Sequence, residues 1–435
     1  MIGGSIIELL EVKQVSKLTL QVVTRPEEFD ALQAEWDRLL EESDATVFQS
    51  FEWQRTWWKH FGEQDDSANL HIVTLRSHGR LVAIAPLFIE SLKRLGLIRL
   101  RRLGFIGGGI TDYLDVVVAK GYETSCLPVL ASHIADQSSL FDVIHLTDIS
   151  DRSPNHALLY LELSRQGFRG HHFVNEYCPR MRLLQTWEAT VASLSSSKQK
   201  RFRQVQRKIE SDFKVELHVV TDPDQLPHDF TEFFNLHQKR WKESGHSGVL
   251  ADARTAGFHR EISELFFKRE RLFLAFLLLD GRRVAANYGF VYRKELLHYL
   301  SGIEMRDELL KYSIGRVLQM YSIAEAAKRG IEVYDFMRGP EEYKYYFNSV
   351  DVTNWTVLMY PSRPGFIELK FKVMLLVDSM RRRANKERLL WSKASKGQGV
   401  LSRAMAAHVA KRIQTNIGDG FQKLRSPEKS LTNRE

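Results

Sequence analysis

The segment Val333-Tyr-Asp-Phe-Met337 places one carboxylate, Asp335, inside an otherwise apolar stretch, and Glu341, Glu342, Tyr343 and Lys344 follow a Gly339-Pro340 turn. A carboxylate in such a stretch is costly to bury without a partner. Carboxylates, a phenol and an amine gathered at one strand end are the groups that general base and general acid catalysis need. They read equally as a satisfied structural carboxylate followed by a solvated loop. Upstream, Ser313-Ile-Gly315-Arg316 opens a stretch in which Val317, Met320, Tyr321, Ala324 and Ala327 recur at helical spacing. This predicts a helix to about Arg329, stopped by Gly330. The free N–H groups of such a start favour an anion, Gly315 allows close approach, and Arg316 adds positive charge. A small residue there is also an ordinary cap.

The elements that must hold these groups form a repeat. Leu70 to Phe88 and Leu272 to Phe290 both read as hairpins with a Gly turn followed by Arg, one residue and Val-Ala. Asp280-Gly281 is a strong hairpin signal, because the turn needs positive φ. Aligning Gly79 with Gly281 also aligns Arg80 with Arg282, Val82 with Val284 and Phe88 with Phe290. Aromatic helices precede the hairpins (51–62 and 233–245), and short strands follow them (141–148 and 331–338). The order recurs, which points to a duplicated α/β domain. In the second strand comparison His145 stands where the second half has Asp335, and no Tyr-Lys pair follows it. The halves are expected to meet near Arg180, followed by a Thr186-capped helix and a basic helix carrying Lys198, Lys200, Arg201, Arg203, Arg207 and Lys208. That helix reads as a solvated face or as a phosphate contact.

The stretch KYSIGRVLQMYSIAEAAKRGIEVYDFMRGPEEYKYYF (311–347) resembles GNAT-fold acyltransferases of the type encoded with bacterial cellulose and exopolysaccharide synthesis, often called CelD-like. The matching positions are Ser313, Gly315, Gly330, Asp335, Phe336, Gly339, Tyr343 and Lys344, with Ile314 where the family has Pro. The hairpin DGRRVAANYGF and the segment TDYLDVVV (111–118) resemble the same family, and the layout is similar to FemABX-type transferases. The resemblance implies an α/β (α+β) chain of two tandem GNAT-like domains, with mixed, mostly antiparallel sheets flanked by helices. These are a degenerate copy at 1–180 and a catalytic copy at 181–362, followed by a basic helical tail at 363–435. It implies acetyl-CoA or another acyl-CoA held between splayed strands, with its pyrophosphate on Ser313, Gly315 and Arg316. Asp335 would be the general base or position the acceptor, Tyr343 the acid for the departing thiolate, and Lys344 a charge neutraliser or loop clasp. Backbone N–H groups near Asn287 and Gly289 would polarise the thioester. His237, Arg240, Trp241 and Glu342 would line a small-molecule or saccharide acceptor site. No metal is implied. An aminoacyl-tRNA-dependent transferase and a non-catalytic scaffold of a polysaccharide-synthesis complex are the alternatives.

Composition fits this class. The 435 residues carry a net charge of +8, but residues 363–435 hold 17 Lys or Arg against 6 Asp or Glu, which leaves the body at −3. A basic tail on an acidic body argues against a nucleic-acid binder. An amphipathic helix from Phe366 to Trp391 would suit an anionic membrane surface or an acidic partner, and reads equally as a helix docked on the body with a solvated basic face. The start lacks the features of a secretory signal, the longest apolar run is Leu272 to Leu279, and Cys126 and Cys178 match no metal spacing. A cytoplasmic protein, peripheral at the inner membrane surface, is the expectation.

Overall fold

The computed structural model describes residues 18–94, 98–243 and 248–362, with residue 368. The first fourteen residues and, apart from 368, the basic tail lie outside the described residues.

In chain order the first half comprises β1 (Leu18–Val23), α1 (Pro26–Ala31), α2 (Gln33–Glu41), α3 (Phe51–Trp57), β2 (Asn69–Leu70), β3 (Ile72–Ser77), β4 (Arg80–Ala85), β5 (Leu87–Arg94), β6 (Ile98–Phe105), β7 (Val117–Val118), α4 (Glu123–Asp136), β8 (Val143–Ser150), α5 (Asn155–Arg165) and β9 (Phe168–Arg182). The second comprises α6 (Trp187–Ala192), α7 (Ser196–Glu210), β10 (Val215–Val219), α8 (Leu226–Glu243), α9 (Ala253–Lys268), β11 (Leu272–Leu279), β12 (Arg282–Tyr292), β13 (Glu295–Ile303), α10 (Asp307–Leu310), α11 (Ile314–Lys328), β14 (Val333–Asp335), α12 (Glu342–Tyr345) and β15 (Val350–Pro361). The fold is mixed α/β, with sheets that are mostly antiparallel.

The expected hairpins are β3–β4 and β11–β12. Both turns use positive φ at the same two places, His78 and Gly79 in one and Asp280 and Gly281 in the other. Both carry a β-bulge at the same place, Leu75/Arg76 and Leu277/Leu278. The offset of 202 residues extends to two contacts between halves, Lys59 with Glu261 and Thr353 with Asp151. It also matches the start of α3 at Phe51 with that of α9 at Ala253. The aromatic stretch therefore falls in α8 as far as Glu243, and α9 is the counterpart of α3. The expected helix pairing was displaced because α9 mixes its apolar residues with His259, Arg260 and Glu261 and gives no aromatic run.

Four strands form one sheet in the order β1-β3-β4-β7, and eleven form the other in the order β10-β11-β12-β13-β14-β9-β15-β8-β6-β5-β2. The halves exchange their last strands in the larger sheet. β9 closes the first half in sequence but pairs with β14. β15 closes the second and lies between β9 and β8. Residues 180 and 181, the expected boundary, sit inside β9.

An aromatic core also crosses between the halves. Trp53 of α3 is fully buried, with ring centroids 4.9 Å from Phe258, 5.4 Å from Phe290 and 4.8 Å from Phe48. Its indole N–H donates to Thr111 Oγ1 at 2.9 Å. Replacing Trp53 with Ala should lower stability by about 4 kcal/mol. Because its partners lie in both halves, urea unfolding followed by fluorescence and by circular dichroism should shift together; loss of one half while the other stays folded would contradict a shared core.

Candidate active site

β13 and β14 run parallel and pair at only three positions, Glu295↔Val333, Leu296↔Tyr334 and Leu297↔Asp335. β14 then ends and β13 continues to Ile303, so the sheet splays open. At the wide end lies the start of α11. Ser313 sits there in the left-handed region (φ 54°, ψ 51°), and its side chain makes no cap hydrogen bond. The backbone N–H groups of Arg316 and Val317 donate back to Ser313 O, while the turn ahead of them is left without a side-chain cap. An uncapped first turn at the positive end of a helix dipole is a natural anion site.

A cavity of about 460 Å³ occupies the splay. It is bounded by Ser301, Ile303, Glu304 and Met305 on the β13 side, by Ser313, Ile314, Gly315, Arg316 and Gln319 on the α11 side, and by Tyr343 and Phe347 opposite, with Arg240 reaching in from α8. Behind Gln319 lies a buried polar network. Tyr334 OH donates to Gln319 Oε1 at 2.7 Å, accepts from Asn287 Nδ2 at 3.1 Å, and lies 3.0 Å from His298 Nδ1. Burial pushes His298 down to about 3, so this ring is neutral and supports Gln319 from behind the cavity wall. Arg240 Nη1 donates to Ser301 Oγ at 3.1 Å. Tyr343 is partly exposed in the wall, and burial, reinforced by Glu341, pushes its phenol up to about 12. It therefore keeps its proton at neutral pH and can donate it.

Ser313, Gly315, Arg316, Tyr343 and Arg240 come together here, as the sequence suggests. Other expected site residues do not. Asp335 is fully buried and outside the cavity. Its Oδ2 accepts from Tyr113 OH at 2.8 Å and pairs with Arg180 Nε at 3.0 Å, and its Oδ1 accepts from the Met337 N–H at 2.8 Å. A buried carboxylate with one oxygen held by the other half and the second by its own loop does not meet an acceptor in the cavity. Lys344 is also buried; Nζ donates to the carbonyls of Met337 (3.0 Å) and Arg338 (2.7 Å) and pairs with Glu341 (2.8 Å), so it clasps the loop. Asn287 and Gly289 lie on β12, which is paired on both sides and never borders the splay. Gly289 is required at a bulge there, since a Cβ would stand 2.3 Å from Leu297 O. The strand edge open to a thioester is that of β13.

His237 is buried and places Nδ1 3.0 Å from Ser301 O, supporting β13 from behind. Trp241 packs beside it, with ring centroids 6.1 Å apart. Glu342 is exposed and does not line the cavity. Ser301, Glu304 and Gln319 were not marked by any motif. Gln319 gave one usable signal, an amide at a buried position of an apolar helix. Glu304 is 6% exposed and gathers Arg282 (2.8 Å), Arg306 (3.2 Å) and Lys239 (3.6 Å). Among the described residues no cluster of side chains could hold a metal ion, and no helix is long and apolar enough to cross a membrane.

The corresponding place in the first half is closed. β6 and β8 also pair in parallel, at Arg102↔Val143 and Leu103↔Ile144. The next helix, α4, begins with Glu123 rather than a small residue. Leu114 bridges to Ile149 alongside, and Val116, Cys126, Leu127 and Leu130 are buried there.

Residues 196–345 match the model of a family described as an acetyltransferase (GNAT) domain. The crystal structure of FemX is similar in fold, with a TM-score of 0.52 at 10% identity over 78% of this chain and 96% of that one. L-PGS from Bacillus licheniformis (14% identity, 81% and 96% coverage, TM-score 0.46) and a tandem GNAT protein from the clavulanic acid biosynthesis pathway (11%, 80% and 100%, 0.41) are more distant in shape. No curated protein matches the sequence. Residues 196–345 are thus similar to a GNAT domain, in a chain whose fold is similar to that of FemX.

Burial lifts Asp335 to about 6 against the opposing pull of Arg180. The unfolded chain releases the same proton near its ordinary value of 3.8. Between these values the folded protein holds a proton the unfolded chain has lost, so the group's contribution to stability falls as pH rises to about 6 and is constant above. In Asp335→Asn this component should vanish. Unfolding free energies of the two proteins, measured from pH 4 to 8, should differ by a pH-dependent amount only below about 6. A folded Asp335→Asn protein should keep near-normal turnover; a deep loss would return Asp335 to the chemistry.

Proposed function

We propose that this protein is an acyltransferase that moves an acyl group, acetyl in the simplest case, from acyl-CoA to an amine or hydroxyl. The carrying observation is the open splay between β13 and β14, which joins an uncapped helix start to a protonated phenol through one cavity. A diphosphate on the Ser313–Gly315 turn leaves the rest of a donor to run along β13 toward Tyr343. The unpaired edge of β13 near Ser301 and Ile303 then offers N–H groups to the oxyanion that forms on attack. As the carbon–sulfur bond breaks, the thiolate takes the Tyr343 proton, and the proton lost by the acceptor restores the phenol through solvent. Direct attack by an acceptor held in line needs no enzyme-bound intermediate, and both cysteines are buried outside the cavity.

The resemblance of residues 311–347 to the CelD-like type supports a saccharide acceptor in polysaccharide or cell-envelope synthesis, and a place in the cytoplasm. Residues 363–435 would supply a contact with an anionic membrane surface or an acidic protein. A second reading has the basic helix α7 behind it, which carries Arg201 and its neighbours beside α12. In that reading the donor is an aminoacyl-tRNA, as the likeness in fold to FemX also allows. The open cavity disfavours a purely scaffolding role.

A thermal-shift series on the full chain separates the readings. Acetyl-CoA at a hundred times its Kd should stabilise the protein by about 2.7 kcal/mol. Tyr343→Phe should retain that shift while turnover falls about 100-fold. A shift with charged tRNA and none with any acyl-CoA would replace the first reading with the second.

A further inference from the structure

Two guanidiniums at the cavity's outer rim stand without a carboxylate. Arg316, in the first turn of α11, lies over the ring of Tyr346 at 4.6 Å. Arg201, from α7, lies over the same ring at 5.0 Å. Among the described residues neither has an acidic side chain within ion-pair distance. By contrast, Arg282 and Arg306 at another part of the wall both lie on Glu304. Burial, and then the charge of Arg201, hold the Arg316 guanidinium below its ordinary value, as expected of two like charges brought together with no anion between them.

The framework that holds them is fixed. Phe202, next to Arg201, packs on Phe347 with ring centroids 5.2 Å apart. Lys198, one turn earlier, donates to Tyr345 O at 3.0 Å and Asn348 Oδ1 at 2.6 Å. α7 is thereby pinned to the loop that carries Tyr346 and Phe347, and the two guanidiniums are held before any ligand arrives. Stacking on a phenol orients a guanidinium while leaving its donors free, and those donors match the oxygens of a phosphate.

We propose that Arg201 and Arg316 form a clamp for a phosphate on the nucleotide end of the donor, separate from the diphosphate at the helix start. The inference rests on the donor reading given above. Its chemistry has two possible sources, the 3′-phosphate of a coenzyme A and the backbone of an RNA.

The test is calorimetric titration of the full chain with CoA and with dephospho-CoA, which lacks the 3′-phosphate. CoA should bind about tenfold tighter, the effect of roughly one charge-assisted pair at a half-exposed site. Arg201→Gln, an exposed change that should leave the fold intact, should bring the two ligands to equal affinity without altering that for dephospho-CoA. Equal affinity for both ligands in the unaltered protein, or a preference untouched by Arg201→Gln, would overturn the clamp and leave the donor reading standing. No binding of either ligand would remove the donor reading and the coenzyme source together. In that event, Arg201-dependent binding of an acceptor-stem RNA would assign the clamp to RNA, and its absence would end the proposal.

Discussion

Two partly buried guanidiniums, Arg180 and Arg338, hold the two halves in register. Arg180 pairs with Asp335 and, at 2.5 Å, with Glu295. Arg338 pairs with Asp112 and Asp148 at 3.2 Å each and donates to Thr111 O at 2.7 Å. Tyr113 closes the set by donating to Asp335. Removing charges from water is costly, and such a set is tolerated only when nearly every lone pair and proton is matched. The matching residues come from β8, β9, the TDYLD segment, β13, β14 and the loop after β14, so the network forms only when both halves are in place. It is weak as a source of net stability and strong as a specification of arrangement.

That arrangement creates the cavity. β14 is short because the chain after Asp335 turns away to place Met337, Arg338 and Lys344. Met337 adopts positive φ, with its N–H on Asp335. The turn ends the pairing with β13 and opens the sheet. The carboxylate that looks catalytic is thus what bends the strand away from its neighbour. The chemistry is left to groups on the other walls: the phenol of Tyr343, the edge of β13 and the start of α11.

Much of this could be read from the residues. Asp280-Gly281 fixed a hairpin because that turn demands positive φ, and the Ser313-Ile-Gly315 start followed by apolar spacing gave α11 and its anion-binding mouth. The TDYLD segment stood out without revealing its role, since the partners that define it, Asp335 and Arg338, lie more than two hundred positions away. Asp335 was misleading for a physical reason. A carboxylate on an apolar strand has the same local pattern whether it faces a ligand or an arginine from another element, and only the placement of Arg180 distinguishes them. Aromatic content points to α8 as the copy of α3, whereas the constant spacing of 202 residues points to α9, because packing demands can move aromatic residues between helices while the repeat length stays fixed. The exchange of end strands leaves no mark in a one-dimensional pattern, since β9 and β15 would look alike in either partner.

The strand exchange has a consequence for how such a chain could arise. Residue 151 meets residue 353, and residue 59 meets residue 261, each pair separated by the repeat length. Equivalent residues touch one another only beside a two-fold axis, as at the isologous interface of a homodimer. Two identical single-domain ancestors, each lending its terminal strand to the other, would interlock in this way. Fusion of their genes would turn a concentration-dependent encounter into an intramolecular one, and one copy could then lose its ligand without the partnership dissolving.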